Sequence, residues 1–165
     1  KRKAAKQLGI PDSSRLPNND EIDAALREYQ DIYRSGDQEQ RVRLLREQAV
    51  RAMRELAAFD PHLTGSVLTG IAGPYAVIHL QLFAENPKAV ELFLIDRKMP
   101  YKTGQNRLYA GQEPRVMPVF NINADGTEIA LTVFDSRDLR APVRATAEGR
   151  VIERARLPAV AALLG

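Results

Sequence analysis

A Gly-Ser pair followed by an alternating segment is the part of the chain best suited to chemistry. Gly65 and Ser66 form the pair, and Gly70 lies five positions beyond Gly65. Backbone N–H groups and a hydroxyl in such a turn can donate hydrogen bonds to a phosphate, and a glycine lets the ligand approach the backbone. We therefore expect a ligand-binding loop at these three residues. The alternative is that the glycines only make tight turns and the serine caps a helical turn.

The segment from Tyr75 to Phe83 alternates between two kinds of side chain. Its two sets of positions are Ile78, Leu80 and Leu82 on one side, and Val77, His79 and Gln81 on the other. A period of two predicts a strand with one buried face and one face toward a cleft. His79 and Gln81 are therefore candidate ligand-binding residues beside the loop, although a histidine on a strand more often has a structural role.

The order of these motifs resembles the nucleotidyltransferase fold of DNA polymerase beta-like enzymes. The strand of that superfamily typically reads S-D-I-D-L, and residues 76–80 of this chain read A-V-I-H-L at the corresponding place. A similar branch of short bacterial nucleotidyltransferase-like proteins shares a helical lead-in and an L-T-V-F-x-x-x-D-L-R stretch, here Leu131–Arg140. The resemblance implies an α+β domain with a mixed sheet and helices on one side, and a nucleotide or phosphorylated small molecule as ligand.

The same resemblance also defines what this chain lacks. The superfamily's reaction uses two magnesium ions held by carboxylates, two of which come from the strand. Here those positions are Val77 and His79, and Glu128 is a candidate third carboxylate unless it is simply an exposed residue after a turn. We therefore expect a degenerate domain that binds a nucleotide without standard catalysis. The alternative is an active nucleotidyltransferase in which His79 and Glu128, with Gln81, act with Mg²⁺ or Mn²⁺.

The remaining chain predicts the elements around this site. Residues 1–60 form a helical segment, with two helices between Asn19 and Ala58 joined as a hairpin at Ser35-Gly36. That hairpin is the candidate surface for a protein partner or homo-oligomer, which is a third possible function. Residues 61–165 form the α+β core, and the two segments together are expected to make one compact domain. The later signals are a helix start at Asn86-Pro87, a hairpin turn at Asp125-Gly126, an irregular exposed stretch over Arg144–Arg154, and a last helix over Leu157–Leu164.

Composition narrows the functional classes. The 165 residues include no cysteine, which excludes disulfides and thiolate metal sites. Because the sequence shows no signal-peptide pattern and no apolar run of membrane-spanning length, we expect a cytoplasmic protein without a membrane partner. The net charge of +3 is mild and its arginines are interleaved with acids, so nucleic-acid binding is not favoured.

Overall fold

The computed structural model describes the backbone of residues 19–165 and the side chains of residues 37–165. Within that part of the chain, four α-helices accompany a curled, seven-stranded mixed sheet, which confirms the predicted α+β class. The helices are α1 (Asn19–Glu55), α2 (Ser66–Thr69), α3 (Pro87–Asp96) and α4 (Leu157–Ala162). The strands are β1 (His62–Thr64), β2 (Ile78–Ala84), β3 (Tyr101–Ala110), β4 (Pro114–Ala124), β5 (Thr127–Asp135), β6 (Val143–Arg144) and β7 (Ala155–Arg156).

Helix α1 covers the part of the sequence in which a helical hairpin is predicted. The described backbone is helical through Ser35 and Gly36, where the sequence predicts a turn. One glycine inside a helix costs only about 1 kcal/mol relative to alanine, so Gly36 alone does not end a helix. The hairpin is therefore unconfirmed. The side chains before residue 37 lie outside the described residues, and the partner surface over residues 19–58 stays a prediction.

The chain divides into two compact units, with the boundary between Asp37 and Gln38. The second unit contains the whole sheet and the part of α1 from Gln38 onward. That part belongs with the sheet because its apolar side chains lie in the hydrophobic core. The buried ones are Val42, Leu45, Ala49, Val50 and Met53.

Strand β2 lies near the centre of the sheet, whose strand order is β6-β3-β4-β5-β2-β1-β7. It pairs in parallel with β5 on one side and antiparallel with β1 on the other. The strand begins at Ile78 and not at Tyr75, which leaves Tyr75 and Val77 in the preceding loop. The alternating residues of β2 therefore lie in the middle of the sheet.

All four helices of the described part of the chain contribute to the core on one face of the sheet, here called the helix-covered face. They contribute Met53, Val67, Val90 and Val160, each of them fully buried. The central strands place their aliphatic positions on this face, as the alternation predicts. The aliphatic strand residues with at most 1% exposure are Leu63, Ile78, Leu80, Leu82, Ile129 and Leu131.

Two local signals in the sequence are confirmed by the geometry they produce. The Asn86 side chain accepts a hydrogen bond from the Lys88 N–H at 2.9 Å and caps α3, with Pro87 in the first turn. Asp125 and Gly126 both have positive φ angles, 52° and 84°, and connect β4 to β5 in a tight hairpin. That backbone matches the turn required by the right-handed twist of paired strands.

Candidate functional site

The second face of the sheet, here called the polar face, carries the candidate site. Residues paired in register share a face, so the ladder aligns side chains in rows across the strands. The first row, from β3 to β1, contains Lys102, Asn121, Ala130, His79 and Thr64. The second row contains Gly104, Val119, Thr132, Gln81 and His62. With strands about 4.8 Å apart, the first row spans about 19 Å, which is long enough for a nucleotide.

Gly65 joins the end of β1 to α2 at the edge of the first row. Its φ of 81° and ψ of −160° lie in a region that only glycine occupies readily. A Cβ atom at Gly65 would lie 3.3 Å from Cδ2 of His79, so the histidine ring lies beside the space that a side chain at this position would need. Gly65 is also the N-terminal cap of α2, without a side-chain cap, and Ser66 is the first helical residue. The serine is therefore not the helix cap that the alternative interpretation required.

Gly70 ends α2 at the opposite side of the loop. Its φ is 90°, and its N–H donates to the Ser66 carbonyl at 2.9 Å, while the Ile71 N–H donates to the same oxygen at 3.1 Å. This pair of bonds closes the helical turn with a left-handed glycine. Because its N–H is occupied, Gly70 shapes the loop. Gly65, which directly follows Thr64 of the first row, is the loop residue next to the polar face.

Arg46 of α1 holds this loop through hydrogen bonds to its backbone. Its Nε donates to the Val67 carbonyl at 3.0 Å and its Nη2 to the Leu68 carbonyl at 2.8 Å. These carbonyls are among those that the end of a helix leaves without intrahelical partners. Val67 is also fully buried in the core. The loop is therefore held in place by a hydrogen-bonded arginine and a packed valine before any ligand binds.

His79 and Glu128 lie on the same face of neighbouring strands. His79 pairs in register with Ala130, two residues after Glu128, and both side chains are exposed. Partial burial of the ring lowers the pKa of His79 from its ordinary value of 6.5, and the charge of Glu128 opposes that shift. The imidazole is consequently neutral at pH 7, with one nitrogen that donates and one that accepts.

The other predicted strand residues do not reach the open part of the face. Gln81 shares the face of His79 but is only 4% exposed, and its Oε1 accepts a hydrogen bond from Arg154 Nη1 at 3.3 Å. Val77 precedes β2 and its side chain is half-buried. Of the residues predicted from the sequence, Gly65, His79 and Glu128 are exposed, and Ser66 is half-buried.

The donor set does not fit a pair of hard divalent cations. Among the described residues, no group of three or more histidine and carboxylate side chains is arranged to hold a metal ion. Val77 has no donor atom, and the open face offers one imidazole and the single carboxylate of Glu128. Mg²⁺ and Mn²⁺ favour oxygen ligands, and a two-metal site needs several of them.

Arg154 is the residue near this face that the sequence did not single out. The stretch ending at Arg154 was expected to be irregular and exposed, yet Val143 and Ile152 pack with Phe83 and Phe134 in a second apolar cluster. That packing brings the Arg154 side chain over β2. The signal available in the sequence was the isolated apolar pair Val151-Ile152, although only the second of these residues packs inward.

The described helices include none with the length and apolar character required to cross a membrane. Comparison of the chain with protein-family models, with curated proteins and with solved structures gives no match in any of the three. The functional inference therefore depends on the residues and geometry of the polar face.

Proposed function

We propose that the polar face binds a nucleotide or another phosphate-bearing ligand at the Gly65-Ser66 loop, without standard two-metal catalysis. The observation that carries this proposal is the contact between the loop and the strand. Thr64, the residue before Gly65, pairs with His79, and a Cβ position at Gly65 lies 3.3 Å from Cδ2 of the His79 ring. A phosphate at the loop would thus meet the first row of polar side chains.

The chemistry of that row suits such a ligand. The Ser66 hydroxyl can donate to a phosphate oxygen, and the neutral ring of His79 can donate from one nitrogen. Lys102 brings a positive charge at the far end of the row, and the half-buried Asn121 lies between them. The Glu128 carboxylate can accept hydrogen bonds from hydroxyl groups, as the sugar of a nucleotide would offer.

The proposed relationship is to a degenerate nucleotidyltransferase-like domain. It is supported by the order of the Gly-Ser loop and β2, and by the mixed sheet in which β2 lies beside β5. The absence of strand carboxylates at Val77 and His79 argues for binding and against nucleotidyl transfer. Binding is therefore the activity that we expect to measure.

Thermal-shift measurements and calorimetry with ATP, GTP, CTP and UTP, each with and without Mg²⁺ or Mn²⁺, test the proposal. Ser66→Ala and His79→Ala should weaken binding about tenfold each, because one hydrogen bond to a charged group is worth roughly 1.5–3 kcal/mol. Ser136→Ala is the matched control, since this exposed serine lies in the short helical turn after β5. Lack of stabilisation of the wild type, or equal binding by Ser66→Ala and the control, would contradict a phosphate site at the loop.

The same samples separate the other two functions. Metal-dependent transfer of a label from a nucleoside triphosphate, lost in His79→Ala, would identify an active enzyme with altered ligands. A dimer or heterocomplex that forms through residues 19–58 without any nucleotide would instead identify an interaction module.

A further inference from the structure

A cavity of about 150 Å³ opens at the edge of the hydrophobic core. It lies between α1, α3 and the hairpin of β4 and β5, and its lining residues all belong to the second compact unit. The most buried of them are Leu56, Ile122 and Ile129, each at most 4% exposed. Ile122 and Ile129 pair in register and lie in the core, so the cavity is on the helix-covered face of the sheet, opposite His79.

The walls of the cavity are apolar and include two small residues. Ala52 of α1 and Ala124 of β4 are both half-buried, and their short side chains leave the space between helix and strand unfilled. Native cores contain few voids larger than a water molecule, because the atoms around a void lose contacts. An engineered cavity of about 150 Å³ lined by leucine, isoleucine and phenylalanine binds benzene. The volume and the lining here therefore suit a single aromatic ring.

Phe93 and Met99 favour an aromatic occupant further. Both are half-buried and line the same cavity, Phe93 from α3 and Met99 from the segment that follows it. Aromatic rings pack favourably edge to face, and a methionine sulfur makes favourable contacts with an aromatic ring. A flat ring in the cavity would meet both kinds of partner.

The exposed lining residues mark the mouth of the cavity, and they are charged. Arg51 and Glu55 are exposed on α1, and Asp125 is exposed in the turn between β4 and β5. Arg51 and Glu55 are four positions apart, so they lie on one side of the helix, where their charges offset each other. Asp125 forms no salt bridge with any of residues 37–165. Arg97 lies over the Phe93 ring but does not line the cavity, so the mouth carries one net negative charge.

We propose that this cavity binds a small aromatic amine, with the ring among the apolar side chains and the ammonium group at the mouth near Asp125. The ring removes apolar surface from water, which is the favourable term in binding. The ammonium group stays at the exposed mouth, where it keeps part of its hydration and is attracted by the carboxylate. The site is on the opposite face of the sheet from His79 and does not depend on the nucleotide proposal.

Titration with benzylamine, benzyl alcohol and benzoate at pH 7 tests the proposal, because the three compounds are similar in size and differ in charge. We expect benzylamine to bind about two- to fivefold more tightly than benzyl alcohol, and benzoate to bind least. NMR of labelled methionine methyl groups locates the site, since the chain has three methionines. The Met99 signal should shift, whereas that of Met117, which lies in the second apolar cluster, should not.

Two variants test the cavity and its charge separately. Ala52→Leu fills the cavity and should weaken benzylamine binding about tenfold or more, whereas Ala89→Leu, at an exposed alanine of α3 outside the lining, is the control. Asp125→Asn keeps a favourable Asn-Gly turn and should bring the affinities for benzylamine and benzyl alcohol close to equal. Its control is Glu113→Gln, which removes an exposed carboxylate beyond the other end of β4.

Wild-type protein that binds none of the three compounds overturns the inference, as does a titration that shifts the Met117 signal and leaves Met99 unchanged. Equal affinity for benzylamine and benzoate, or an unchanged preference in Asp125→Asn, overturns the assignment of an amine. A folded Ala52→Leu protein that binds benzylamine as the wild type does overturns the assignment of the cavity. If Ala52→Leu does not fold, Ala124→Val decides by the same criterion, since it fills the cavity from β4.

Discussion

The two faces of one sheet differ in what covers them. On the helix-covered face, alternate residues of β1, β2 and β5 are fully or almost fully buried and pack against all four described helices. On the polar face, a small cluster around Phe83 and Phe134 covers one end, and His79, Glu128 and Lys102 remain exposed at the other. Neighbouring residues of β2 lie on opposite faces of the sheet.

This difference indicates where stability and binding reside. Buried aliphatic area stabilises the fold, because about 25 cal/mol is gained for each Å² of apolar surface removed from water. Exposed polar side chains contribute little to stability and are free to contact a ligand. We therefore expect substitutions on the two faces to separate loss of folding from loss of binding.

The largest effect is expected for neighbours on β2 that point to opposite faces. Leu80→Ala should lower the free energy of unfolding by about 2–5 kcal/mol, because it removes a fully buried side chain and leaves a cavity. His79→Ala should change it by less than about 1 kcal/mol, while binding of a nucleotide is weakened. Urea unfolding monitored by circular dichroism, together with calorimetry, measures both quantities. A large loss of stability in His79→Ala would show that the polar face is structural.

An intermediate effect on stability is expected at Gly65, in the loop between β1 and α2. Gly65→Ala should cost about 1–3 kcal/mol, because its backbone angles suit only glycine and the new Cβ would press on His79. Gly73→Ala is the matched control, since Gly73 lacks a positive φ angle and has no atom within 4 Å of its Cβ position. Thermal unfolding of both variants tests this, and equal melting temperatures would show that the conformation of Gly65 is not strained by a side chain.

The smallest expected effect is a pH dependence of stability. It arises from His62 at the covered end of the polar face and from His79 at the open end. His62 Nδ1 lies 2.8 Å from the Asp60 carbonyl, and its Nε2 accepts from Arg156, so the described hydrogen bonds require a neutral ring. Burial, followed by the charges of Arg154 and Arg156, lowers the pKa of His62, and hydrogen bonding to the Asp60 carbonyl opposes this. The pKa of His79 is lowered as well, chiefly by burial.

The sign of the pH dependence follows from proton binding. The unfolded chain, with ordinary histidine pKa values near 6.5, binds more protons than the folded protein. The contribution of both rings to stability is therefore complete above pH 6.5 and is lost as the pH falls through their lowered pKa values. The chain has two histidines. The free energy of unfolding, measured with urea between pH 5 and 7.5, should therefore rise less steeply with pH in His62→Asn and in His79→Asn than in the wild type. If the free energy of unfolding of the double variant depended on pH as strongly as that of the wild type, the two histidines would not be the source of the pH dependence.

Much of the fold could be predicted because its signals are local. The strand β2, the Asn86 cap and the Asp125-Gly126 turn each depend on residues close together in the sequence, and the structure confirms each of them. The predicted turn at Ser35-Gly36 depended on a single glycine. That signal is weak because helix propensity is easily outweighed by other interactions.

The candidate site was predictable only in part. The sequence predicts that Gly65, His79 and Gln81 lie at one open cleft. Gln81 is instead covered by Arg154, a residue 73 positions away. Pairing over that distance depends on how the stretch between β6 and β7 packs on Phe83, and no local pattern specifies it.

The sequence by itself determined the alternation of β2, the glycine loop before it, and the absence of carboxylates at positions 77 and 79. These properties follow from side-chain type and spacing, which the chain carries whether or not it is folded. Only the tertiary structure decided that the His79 ring lies beside Gly65 and that Arg154 reaches over Gln81. Both contacts arise from strand register, since β1 pairs with β2 on one side and with β7 on the other.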